Sequence, residues 1–312
     1  MTIPVLTISA LLCLPTSVVA WDALGHMMIA ASAYDQLTPA VRTNVATLLK
    51  LNPKYATWVA GVPAKDKERI AFLRASLWAD EIKDKHSGYT QDGTHNGDRP
   101  SGPNAGQNIG YADTLQHKYW HFIDLPFSPD GTTLVEPATP NALTQIVLFR
   151  DTLKSTTASD DVKSYDLVWL LHLVADVHQP LHAISRFNKL QLEGDDGGDL
   201  VAVCWTPCTK HEKLHKFWDE IRGTSTNPTT AITQAKRLPP VDPQLASISE
   251  EVTWLEESFQ AAQAHVYVSP IGVGPGPYVL RKSYREAARE LAVQRIALAG
   301  VRLANLLNDA LQ

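Results

Sequence analysis

The sequence predicts a mainly α fold, and three observations carry that prediction. Apolar residues recur at helical spacing through several long stretches, above all 161–178 and 278–308. Helix-start chemistry stands where such stretches begin, as at Thr38-Pro39, a capping hydroxyl followed by a first-turn proline. The best strand candidate is a single short segment, a strand or hairpin near 190–206, where Glu193 to Asp199 makes a turn before Leu200-Val-Ala-Val203. The 312 residues are 44% hydrophobic and 20% charged, ordinary values for a protein with a substantial core. No repeat, low-complexity tail or domain-scale linker interrupts them, so one helical domain over 21–312 is the economical reading.

Residues 1–20 stand apart. Val5 to Leu14 is an apolar run, and Pro15 to Ala20 ends it in small residues. This is the pattern of a secretory signal peptide cut after Ala20, although no Lys or Arg precedes the run. The run is too short to span a bilayer, and no later segment reaches about 20 apolar residues. The mature chain is expected to begin at Trp21 and to be exported, to periplasm or medium, without a membrane span.

From Trp21 the chain passes through Gly25-His26 into a helical run ending near Tyr34. Further helices are expected at 39–50 and from about 64 to 83, the latter with Ile70, Leu73, Leu77 and Ile82 on its apolar side and carrying Asp80 and Lys83. Residues 86–110 are rich in Gly, Asn, Asp, Ser and Pro and read as a long functional loop. His117 to Asp124 follows, turning extended towards Pro126. Helices are expected again at 141–155, 161–178, 210–222, 228–236, 246–264 and 278–308.

The stretch 172–182 carries the chemistry. Its apolar surroundings describe a buried helix, and such a helix seldom holds an unpaired His and Asp. His172 and Asp176 are four apart and share one helical face, so imidazole and carboxylate can hold one metal ion. Pro180 ends or kinks the helix near 177–179. His182 then leaves the helical register and points to an adjacent site. His215 and Asp219 repeat the spacing. The plainer reading is a pair of His–Asp hydrogen bonds inside a helical core.

Cys204 and Cys208, four apart, are expected to form a disulfide in an oxidising compartment. The formal charge of −5 leaves no basic footprint for nucleic acid. Three divalent ions would bring it to about +1, concentrated at one point.

Taken together, Trp21 with Gly25-His26, Trp78-Ala79-Asp80, His121-Phe122-Ile123-Asp124, His172-x3-Asp176 through His182, Leu214-His215-x2-Trp218-Asp219 and the terminal run 299–308 resemble the zinc-dependent, single-strand-specific nuclease family of the nuclease/phospholipase C superfamily. The resemblance spans nearly the whole chain after residue 20. It implies a helical fold of that type and three Zn2+. The first would be held by Asp80, His121, His172 and Asp176, the second by His182, His215 and Asp219. The third would be held by His26 and the free amine and carbonyl of Trp21, with Asp176 bridging. It implies hydrolysis of single-stranded DNA and RNA to 5′-phosphates, 3′-nucleotidase activity on mononucleotides, and no stable protein partner. It also implies that Asp80 and Lys83 act at the reacting phosphate, that Phe122 stacks on the base and that Asp124 bonds its edge. Relatives often carry Asn where this chain has Asp199, a substrate-binding candidate whose effect is open; it is alternatively an acceptor that orients a ligand His. Two other functions compete: a zinc-dependent phospholipase C, which shares the metal cluster, and a non-catalytic exported zinc-binding protein. His117 competes with His121 as ligand, one turn away. His178 is expected in the core, and His86, His95, His211 and His265 in solvent.

Overall fold

The structure is a computed structural model that describes residues 21–94 and 97–312. The proposed signal segment and His95 lie outside the described residues. The helices, in chain order, are α1 (Ala23–Gln36), α2 (Pro39–Leu49), α3 (Tyr55–Trp58), α4 (Lys67–Ala75), α5 (Trp78–Glu81), α6 (Ala142–Lys154), α7 (Asp160–Asp176), α8 (Leu214–Asp219), α9 (Pro228–Ala235), α10 (Pro243–Ala246), α11 (Glu251–Ala261) and α12 (Lys282–Ala310). The strands are β1 (Pro126–Phe127), β2 (Ser185–Arg186), β3 (Ala202–Cys204), β4 (Glu212–Lys213) and β5 (Tyr278–Val279). The fold is mainly α, as the sequence predicts.

The central element is α7. Every residue from Ser164 to Asp176 is buried. A helix apolar on all sides must be enclosed by other elements, and α2, α5, α6 and α12 pack around it. The main apolar cluster joins these helices to α1 and α4. A smaller cluster gathers β3, α8 and the start of α12. Leu181 belongs to the smaller cluster and Ala183 to the larger. His182 therefore lies on the seam between them.

Several elements differ from the expected spans for visible reasons. The helix expected over 64–83 is broken between α4 and α5. Ser76 Oγ donates back to the Leu73 carbonyl, and the Ser76 carbonyl accepts from His172 Nδ1 instead of continuing the helix. The helix expected at 246–264 starts only at Glu251, as α11; Ala246 instead ends the separate α10, which Asp242 caps by accepting from Gln244 N. The extended stretch expected towards Pro126 becomes a strand there: β1 pairs in parallel with β2, and a strand's first residue tolerates a missing N–H. Tyr278 and Val279 leave the expected last helix to form β5 beside β3, whose other edge pairs with β4. Cys204 and Cys208 are disulfide-bonded. Among the described residues, no helix is long and apolar enough to cross a membrane.

Candidate metal centre

Three groups of His and Asp have ligand atoms within 4.8 Å of one another: His26, His172 and Asp176; Asp80, His121 and His172; and His182, His215 and Asp219. They arrive from α1, α5, α7, α8, the residue that ends the turn Lys118–Trp120 and the turn Pro180–Ala183. All except Asp80 are buried.

The first two groups share His172, and Asp176 lies beside both. Asp176 Oδ1 is 3.3 Å from His26 Nε2. Its Oδ2 is 2.9 Å from His121 Nδ1 and 3.3 Å from His172 Nε2. Asp80 Oδ1 is 3.5 Å from His172 Nε2 and 4.0 Å from His121 Nδ1. The rings of His26 and His172 stack with centroids 4.0 Å apart. In the third group, Asp219 Oδ2 is 3.5 Å from His215 Nε2, and Oδ1 is 4.0 Å from His182 Nε2.

Backbone carbonyls fix three of the imidazoles. Nδ1 of His172 donates to Ser76 O at 2.7 Å, that of His182 to His121 O at 2.8 Å, and that of His215 to Gly197 O at 2.8 Å. Each Nδ1 thus carries the proton, and each Nε2 turns a lone pair into the cluster. Gly197 sits at φ +58°, and a Cβ there would come within 2.4 Å of the Leu181 carbonyl, so only glycine brings its own carbonyl to His215.

This arrangement fits a cation. His182 Nε2 and His215 Nε2 are 3.0 Å apart, two lone pairs face to face. His26 Nε2 and Asp176 Oδ1 are buried atoms without a hydrogen-bond partner among the described residues. Nitrogen and carboxylate oxygen are the donor set that zinc takes. Burial holds His26, His121, His182 and His215 below the usual imidazole range, in the neutral form that ligates. Burial would lower His172 as well, but Asp176 and Asp80 outweigh it and lift it to about 10. The carboxylates there demand positive charge. Burial pushes Asp219 well above the usual carboxylate range and Asp176 up to about 6. Asp80 goes the other way: burial opposes its charge, but Lys83 and His172 hold it well below the ordinary value.

Trp21 is fully buried, and the next residue's N–H donates to the Asp219 carbonyl at 2.9 Å, which ties this segment to α8. Lys83 is nearly buried, with Nζ 2.7 Å from Asp80 Oδ1. Phe122 and Asp124, both half-buried, line one cleft with Tyr119, Phe187 and Arg99. Asp199 Oδ2 accepts from Lys213 Nζ at 2.7 Å, while the Gly197 carbonyl holds His215.

The remaining histidines separate cleanly. His117 is buried outside the cluster, with Nε2 2.9 Å from Asp113 Oδ2 and Nδ1 2.9 Å from Asp92 Oδ2. His178 donates from Nδ1 to Val174 O, and its Nε2 meets Arg302 Nη1 at 3.1 Å. His86, His211 and His265 are exposed. Sequence reasoning missed Gln179, whose side chain donates to Asp219 Oδ1 at 2.7 Å and accepts from Leu181 N at 2.6 Å. Its place between Asp176 and His182 is a signal that could have found it.

A search of curated proteins finds no match. The model of one family, S1/P1 nuclease, matches residues 21–312. That span contains every residue of the three His/Asp groups. On this match the chain belongs to the S1/P1 nuclease family, a family of metal-dependent nucleases.

Proposed function

We propose that the chain, as one domain from Trp21 to Gln312, is an exported three-zinc phosphodiesterase. It cleaves single-stranded DNA and RNA to 5′-phosphorylated products and also removes 3′-phosphates from nucleotides. The carrying observation is the convergence of three His/Asp groups with shared residues and inward lone pairs. Asp80, His121, His172 and Asp176 would hold one zinc, and His182, His215 and Asp219 a second. His26, Asp176 and the Trp21 amine and carbonyl would hold the third. Zinc bound there supplies Lewis acidity and a water acidic enough to ionise near neutral pH.

The chain's own groups do the rest. Lys83, fixed beside Asp80, offers positive charge to the oxygens of the reacting phosphate. Phe122 offers a ring face to an unpaired base, and Asp124 a carboxyl to its edge, from the same cleft. A base inside a duplex is not free to enter such a cleft, which supports a preference for single strands. Asp199, paired with Lys213, stands near His215 as a substrate-binding residue. Removal of residues 1–20 would free the Trp21 amine, so export and activation would coincide.

The test is cleavage of one oligonucleotide, single-stranded or annealed, by zinc-loaded protein beginning at Trp21. Selective cleavage of the single strand with 5′-phosphate ends supports the reading. Absence of cleavage, or equal cleavage of the duplex, overturns it.

A further inference from the structure

Gly97, which lines the cleft with Phe122 and Asp124, is flanked by two carboxylates. A Cβ on Gly97 would lie 3.2 Å from Asp196 Oδ1 and 3.8 Å from Asp124 Oδ2. Among the described residues neither side chain has a hydrogen-bond or ion-pair partner. We propose that Asp196 is a positioning residue for base recognition that acts through Asp124, so that the pair's protonation state selects between adenine and guanine. This rests on the nuclease reading above and on Asp124 as the group that meets the base.

The chemistry follows from donors and acceptors. An ionised carboxylate only accepts, and its two oxygens match the N1–H and N2–H donors of guanine. A neutral carboxyl donates from O–H and accepts at C=O, which matches N1 and N6–H of adenine. The groups facing Asp124 favour the neutral form. Burial first, then Asp196 and Asp195, push it up to about 8, against Arg99. Burial, Asp199 and Asp195 raise Asp196 to about 6, against Arg99 and Lys213. Asp196 therefore ionises first, and its charge opposes ionisation of Asp124. Asp195 is committed elsewhere, to Arg186, Tyr267 and the Gly198 N–H.

The experiment compares kcat/KM on two dinucleotides that differ only in adenine for guanine, from about pH 6 to about pH 9. Taking the ratio cancels any pH dependence of the bond cleavage that both share. In the wild type the adenine:guanine ratio is expected to fall roughly tenfold as pH rises through the titration of Asp124. Asp196→Asn should move the midpoint down by about one pH unit. Asn suits this site, since residue 196 has φ +49°, a conformation Asn tolerates. Asp124→Asn, whose amide both donates and accepts, should hold the ratio at its low-pH value throughout. Absence of turnover on both dinucleotides removes the nuclease reading and this inference with it. Turnover with a flat wild-type ratio, or a midpoint that Asp196→Asn leaves in place, overturns the inference alone.

Discussion

The side-chain amide of Gln179 donates a 2.7 Å hydrogen bond to Asp219 Oδ1 and thereby joins the turn that follows α7 to the end of α8. The bond spans the seam between the two apolar clusters and fixes which Asp219 oxygen is left for His215. Gln179→Leu keeps the size of the side chain and removes the donor. It is expected to lower zinc affinity or turnover by roughly 10- to 100-fold, the usual effect of losing a group that orients a ligand. Zinc titration of the variant checks it; affinity and turnover equal to the wild type would show that Asp219 needs no such support.

Asp176 stands between the first two groups and meets three imidazoles within 3.3 Å. Asp176→Ala is expected to be the most damaging single change, with bound zinc reduced by about two per chain because two proposed sites share this carboxylate. Elemental analysis of the purified variant reads the count directly. A loss no larger than that of Asp219→Ala would contradict the bridging role.

Trp21 is fully buried and tied to Asp219 through the adjacent N–H, so the nitrogen of residue 21 belongs to the same neighbourhood as the cluster. Adding one residue before Trp21 turns a free amine into an amide, which does not ligate. Turnover is expected to fall at least about tenfold and one zinc to be lost. Equal activity and zinc content in the extended protein would remove the terminus from the third site.

His117 offers a pH prediction away from the ligands. Burial alone would lower its pKa, but hydrogen bonds with Asp113 and Asp92 outweigh this and raise it above 6.5. Asp92 is lowered below 3.8: burial opposes its charge, but His117 and Tyr119 prevail. The histidine's contribution to stability is full below its unfolded value and lost as pH rises through the raised one. The aspartate's is full above its unfolded value and lost as pH falls through the depressed one. The clamp between the 86–110 loop and the His121 turn is therefore strongest between about pH 4 and about pH 6.5. His117→Gln should lower the unfolding temperature most in that window and less at alkaline pH. A penalty that does not change with pH would contradict the charged pairing.

Much of this was legible in the residues because helical spacing and His–Asp spacing obey the same geometry. The apolar run around His172, at 167–175, announced a buried helix, and Pro180 announced where it stops, which is why His182 groups with His215 and not with His172. What the sequence did not reveal depends on contacts between distant segments. The break at Ser76 exists because its carbonyl serves His172, nearly a hundred positions away. Strand β5 exists because Tyr278 finds Val203, not through any strong local preference. The buried His117 looked like a rival ligand; one of its carboxylate partners, Asp113, stands four residues before it, but the other, Asp92, lies in a loop with no local signal.

The most direct test is zinc stoichiometry, measured together with single-strand cleavage, on protein that begins at Trp21. The account predicts about three zinc per chain, cleavage lost when a chelator strips them and regained when zinc returns. Full cleavage of the single strand by the stripped protein would contradict it.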